Sequence, residues 1–147
     1  MTIELALFAL SLLVLGTLLA PNAGEGRMLE LICGKTAQAD LVLILFSNDV
    51  TPVETTVLAD LTEVTGGGYG AKTLTGANWT VTPGAPSSMA YAEQTFTFTS
   101  VPGVATVYGY AVKHGTVLLW AERLPDAPFV IATAGDEIRV TPQFTQE

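Results

Sequence analysis

From residue 40 to the C-terminus the chain is a succession of short runs rich in Val, Thr, Tyr and Phe, cut by Gly, Pro, Asn and Asp. This texture constrains the fold more than anything else in the sequence. β-Branched and aromatic residues suit a pleated, half-buried surface, and the turn formers between them leave no room for long helices. A mainly β protein is expected: a single antiparallel β-sandwich, jelly-roll-like, with a short N-terminal helical segment.

Individual runs place the strands. Leu41–Phe46 is apolar throughout and closes at Ser47-Asn48-Asp49, which marks a central strand buried on both sides. Thr95-Phe96-Thr97-Phe98-Thr99 alternates strictly, so the phenylalanines pack and the threonines meet solvent. Residues 104–112 and 116–124 flank Lys113-His114-Gly115, which predicts a hairpin with Gly115 at positive φ. A second hairpin is expected to join 129–132 to 137–144 through Thr133-Ala134-Gly135-Asp136, with Ile138, Val140 and Phe144 inward. Pro142 should make that last strand an edge or end it early. Gly66-Gly67-Gly68-Tyr69-Gly70 and residues 83–88 are the longest irregular connections, where binding residues tend to gather.

Ahead of this body, Met28, Leu29 and Ile32 fall at i, i+1 and i+4, which suits one short amphipathic helix over 25–33, ended by Gly34. Residues 5–20 are different, an apolar run broken only by Ser11, Gly16 and Thr17. A secretory signal would begin with positive charge, whereas the early charge here is Glu4, and Pro21 directly follows Ala20. A spanning helix wants about 20 apolar residues with basic flanks, so a membrane is the less favoured partner. An arm buried against another subunit also suits an all-round apolar surface. Its interface residues would be Leu5, Phe8, Leu12, Leu15 and Leu19. The chain thus divides into an apolar segment, 1–20, and a single domain, 21–147.

The 147 residues suffice for one core. Fourteen acidic residues against six basic ones give a net charge of −8, which opposes phosphate backbones and leaves proteins or glycans as partners. Cys33 is the sole cysteine, so there is no disulfide framework and no thiolate cluster. Its apolar neighbours predict a buried, inert thiol.

His114 is expected to be a solvated turn residue at the hairpin tip. The glycine cluster lacks the Gly-Lys-Ser/Thr ending of a phosphate loop and reads as a turn. Asp60 with Glu63, and Asp136 with Glu137, read as surface charge; sequence spacing cannot set the carboxylate separation of a glycosidase, and no calcium-loop spacing occurs. No catalytic, cofactor or metal residues are expected, and the chain does not read as an enzyme.

Trp79, Trp120, Tyr69, Tyr91, Tyr108 and Tyr110 suit either a sugar groove or a core, and packing is favoured. Tyr108 and Tyr110, two apart, should share a strand face, with Trp120 across the hairpin. Tyr69 and Trp79 are the candidates for loop binding.

Several ordered motifs carry a resemblance. Pro21-Asn22-Ala23-Gly24-Glu25, Arg27-Met28-Leu29-Glu30, Leu45-Phe46-Ser47-Asn48-Asp49-Val50-Thr51-Pro52 and Ala59-Asp60-Leu61-Thr62-Glu63-Val64 lie in the first half. Val107-Tyr108-Gly109-Tyr110, Leu118-Leu119-Trp120-Ala121-Glu122-Arg123 and Val140-Thr141-Pro142-Gln143-Phe144 lie in the second. Over residues 21–145 the chain resembles a group of small tailed-bacteriophage virion proteins, described as head decoration or structural proteins; the apolar run at 3–20 departs from that pattern. The resemblance implies a capsid decoration or cement protein on the outer surface of the virion. It would bind the major capsid protein or other virion proteins and no nucleic acid, as a homo-oligomer with a trimer favoured. The alternative is a tail or surface module that recognises host glycans through its loop aromatics.

Overall fold

The computed structural model describes residues 19–146. Helix α1 (Asn22–Ile32) precedes strands β1 (Leu41–Phe46), β2 (Lys72–Leu74), β3 (Thr80–Thr82), β4 (Ser87–Ala90), β5 (Gln94–Thr97) and β6 (Thr106–Val107). Then come β7 (Gly109–His114), β8 (Val117–Arg123), β9 (Phe129–Val130), β10 (Glu137–Val140) and β11 (Gln143–Gln146). The expected mainly β class with a short helix near the N-terminus holds, and every pairing between these strands is antiparallel. The sheets have the orders β2-β1-β7-β8, β10-β5, β11-β4-β3 and β6-β9.

β1 lies between β2 and β7 and has a buried face on each side, which is why its sequence tolerates no polar residue. Leu43 and Leu45 join Phe96, Phe98, Val107, Tyr110, Trp120, Ile138 and Val140 in the main core, against which Met89 and Phe144 of the β11-β4-β3 sheet pack while partly buried. Ile44 and Phe46 face the other way, against Leu61, Ala111, Leu118 and Ala121. Phe96 and Phe98 are buried while Thr97 and Thr99 are exposed, as the alternation requires.

β7 and β8 form the expected hairpin. His114 pairs with Val117, so the turn has two residues, with Gly115 at φ +59. Among the described residues only glycines have positive φ, so Thr116 does not, and the turn is of the II′ kind. The register slips beside Val112, which faces Trp120, while Lys113 faces Leu118. Leu119 is therefore the extra residue of a β-bulge, and both it and Trp120 reach the main core.

The second expected hairpin does not form. β9 pairs with β6, and β10 pairs with β5, placing Ile138 opposite Phe96. The Asp136 carboxylate takes the N–H groups of Ala132 and Thr133 at 2.8 and 3.0 Å, holding the 132–136 turn so that it sends the two strands to different sheets. Ile138 and Val140 are buried as expected, and Phe144 is half-buried after the chain changes sheets at Pro142. Tyr108 and Tyr110 do not share a face either. Tyr108 falls in the break between β6 and β7, where its N–H donates to Phe46 O, and it packs beside the second cluster while Tyr110 enters the main one.

Candidate functional site

The most distinctive surface lies where α1 meets the sheets. The chain enters at Leu19, whose backbone exchanges two hydrogen bonds with Ala121 at 3.2 and 3.1 Å, an antiparallel bridge on β8. Gly24 then sits directly on the bulged strand. A Cβ there would lie 2.2 Å from Leu119 O and 2.8 Å from Leu118 O, so the helix can approach this closely only with glycine. At the other end Gly34, at φ +74, ends the helix as expected. Lys35 N–H donates to Glu30 O at 2.9 Å and Gly34 N–H to Leu31 O at 3.2 Å, the paired bonds of a Schellman cap.

One polar network ties the helix down. Arg27 Nη1 lies 3.0 Å from His114 Nδ1, and Arg27 Nε donates to Glu30 Oε2 at 3.1 Å. Thr36 also donates to Glu30 Oε2, at 3.0 Å. The Thr36 hydroxyl, with Lys35 and Arg27 nearby, holds the Glu30 carboxyl below its ordinary value. His114 is thus not the solvated turn residue expected from its neighbour Gly115. It is the last residue of β7 and is buried, because Arg27 caps it from across the molecule.

The opposite flank of α1 is apolar and open. A groove of about 580 Å³ runs along it, lined by apolar residues that include Met28, Leu29, Ile32, Met89 and Phe144, together with the polar Glu25 and Gln146. An adjoining cavity of about 270 Å³ shares Met28, Leu31 and Met89 with it and reaches Trp79 and Trp120. Met28 and Leu31 are half-buried, but Leu29 is 67% and Ile32 82% exposed. Covering either of these last two would contribute up to roughly 1.5–3 kcal/mol. Such a surface is suited to an apolar protein segment. Helical spacing identified Met28, Leu29 and Ile32 as the apolar stripe, yet two of the three point away from the sheets. Cys33, one residue further, is exposed rather than buried, since the stripe that surrounds it in sequence is itself uncovered.

Of the expected arm residues, Leu5, Phe8, Leu12 and Leu15 lie outside the described residues; Leu19 is the half-buried bridge residue. Tyr69 and Trp79 are half-buried and pack on different neighbours. Beyond the end of β2 the Tyr69 hydroxyl accepts the Leu45 N–H at 3.1 Å, donates to Glu63 Oε1 at 3.0 Å, and the ring stacks on Phe96 at 5.7 Å. Burial, with the Glu63 carboxylate adding to it, pushes this phenol well above its ordinary value. Trp79 meets Tyr91 and Trp120 edge-on at 5.1 and 6.2 Å.

The acid pairs are each tied to structure. Asp60 accepts the Val57 N–H at 2.8 Å, Glu63 holds Tyr69, Asp136 holds its turn, and Glu137 meets Arg139 at 3.0 Å. Among the described residues no three of His, Cys, Asp and Glu gather as a metal site, and no helix is long and apolar enough to cross a membrane. No protein-family model matches the chain, and neither does any curated protein or solved structure.

Proposed function

We propose that this protein is a phage virion structural subunit, a cement-like domain that binds between shell subunits on the outer capsid surface and stabilises the particle. The observation that carries the reading is the open apolar flank of α1, with Leu29 and Ile32 uncovered above a groove of about 580 Å³. A contiguous apolar surface of this kind marks a protein interface rather than a solvated face. The resemblance carried by the ordered motifs over residues 21–145 supports a virion as the assembly, and the net charge of −8 favours a protein lattice over packaged nucleic acid.

Cementing acts by mass action on the assembled state: a domain that binds only the closed lattice stabilises it at every site it fills. Many copies on a symmetric shell multiply a modest contribution per site. The reading assigns no catalytic residue and no cofactor. Its test is mass spectrometry of purified particles, which should find the chain in many copies; absence from particles would remove the proposal. The glycan-module alternative gains nothing from Tyr69 and Trp79, whose rings are committed to Phe96, Tyr91 and Trp120.

A further inference from the structure

We propose that the cavity of about 270 Å³ between α1 and the sheets binds a small neutral molecule: an apolar body about one aromatic ring in size, carrying a hydrogen-bond acceptor for the Trp120 indole. The inference goes beyond the assembly reading and does not depend on it.

The indole is the first argument. Trp120 lines the cavity and is fully buried, and its Nε1 has no hydrogen-bond partner among the described residues. An indole N–H can only donate, and a donor buried without an acceptor costs stability. The ring has little freedom to turn toward a partner elsewhere. Trp79 meets it edge-on at 6.2 Å, Phe144 packs against it at 5.4 Å, and the bulge at Leu119 fixes its place on β8. An acceptor therefore has to come to the indole, and the cavity it lines is the space open for one.

The walls decide the rest of the ligand. Leu41 of β1, Leu74 of β2, Met28 and Leu31 of α1 and Met89 of β4 make them apolar, and none of the described residues that line the cavity is charged. An ionised ligand would lose its hydration with no counter-charge to replace it. Water is a poor occupant too. A buried water wants roughly two to four polar partners, whereas a carbonyl on an apolar body is served by the one indole donor.

Size follows from volume. An apolar cavity of about 150 Å³ holds benzene, so one of about 270 Å³ admits a ring with a small substituent. Trp79 and Trp120 offer aromatic surfaces against which such a ring packs. Met28 and Met89, whose unbranched thioethers adapt to irregular shapes, stand where the cavity joins the groove along α1 and give the ligand its way in.

The test uses the full-length protein, because its only two tryptophans both line the cavity. Proton–nitrogen correlation spectra show one indole signal for each, and Trp79→Phe leaves a single signal that assigns Trp120. In the protein alone the Trp120 indole proton should resonate upfield, as one without an acceptor does. Titration with acetophenone should move it downfield to saturation. Isopropylbenzene, which has the same shape without the carbonyl oxygen, should cause no such shift. Benzoate, similar in size but charged, should bind more than about tenfold more weakly than acetophenone.

Four results overturn the proposal. A Trp120 proton already downfield in the protein alone would mean that water or the chain itself holds the indole. No saturable shift with acetophenone would mean that no such ligand enters. An equal shift with isopropylbenzene would mean that the indole recognises nothing, and benzoate binding as tightly as acetophenone would mean that the site is not one for neutral molecules.

Discussion

Arg27 and His114, 87 residues apart, meet with Nη1 3.0 Å from Nδ1 and so join helix α1 to the end of β7. A guanidinium can only donate, so in this contact Nδ1 offers its lone pair and Nε2 carries the ring hydrogen. Nε2 is buried without a partner, which leaves the Arg27 bond as the ring's one polar contact among the described residues. His114→Phe keeps a ring and removes the acceptor, and should cost about 1–3 kcal/mol. The check is urea unfolding, where the midpoint should fall at unchanged slope. In a double-mutant cycle with Arg27→Met, a coupling near zero would mean that this contact adds no stability.

Gly24 and Gly26 lie two residues apart on α1 and should respond oppositely to alanine. At Gly24 the new methyl meets the Leu119 and Leu118 carbonyls, which are backbone and cannot swing aside. At Gly26 it meets nothing within 4 Å. Gly24→Ala should lose about 1–3 kcal/mol or more as the helix lifts from β8, and Gly26→Ala should gain roughly 0.5–1 kcal/mol from its better helix propensity. Thermal unfolding of the two variants side by side decides it.

What could be read from sequence follows how local each determinant is. The apolar run of β1 and the Phe96/Phe98 alternation depend only on neighbouring residues, and both strands lie as expected. So does the positive φ of Gly115 in the hairpin turn, although Lys113 and His114, expected in that turn, belong to β7. Pairing of β9 and β10 does not, since Asp136 turns the chain between sheets and a four-residue spacer looks the same whether it closes a hairpin or redirects one. His114 was misplaced because its partner is remote, and Cys33 because an apolar stripe says nothing about whether another segment covers it. The groove itself was half legible: its helical side was recognised by spacing, while Met89 and Phe144 arrive from separate strands.

Tyr69 does the work of a strand beyond the end of β2, where its hydroxyl accepts the Leu45 N–H. Tyr69→Phe keeps the stack on Phe96 and leaves that N–H unsatisfied in the core. A loss of about 1–3 kcal/mol is expected by chemical denaturation, together with faster amide exchange at Leu45. Unchanged exchange at Leu45 would show that the hydroxyl is not its partner.

Asp136 makes a pH-dependent contribution. Its carboxylate accepts from the N–H groups of Thr133 and Ala132 and from the Thr133 hydroxyl, and these bonds hold it below its ordinary value of 3.8. In the window below 3.8 the unfolded chain binds the proton first, so the stabilisation is complete above that value and is lost as pH falls through the lower, folded one. Asp136→Asn should therefore be less stable than the parent at pH 7, with the gap narrowing in acid. Denaturation midpoints at pH 7, 4 and 3 measure the gap, and a constant difference would sever it from ionisation.

Glu122 should show the reverse trend. It sits opposite Tyr110 in the β7–β8 register and accepts from that hydroxyl at 2.7 Å, yet burial raises its carboxyl above 4.5, with the Tyr110 bond only partly opposing. Between 4.5 and the folded value the native protein binds more protons than the unfolded chain, so stability falls as pH rises through that window. The ionised carboxylate then carries its full desolvation cost at neutral pH. Glu122→Gln keeps an oxygen to accept from Tyr110 and cannot ionise, so it should be the more stable form at pH 7, and its advantage should fade below pH 4.5. Paired unfolding curves across this range test both halves; an advantage that grows in acid would mean that the Tyr110 bond, not burial, governs the carboxyl.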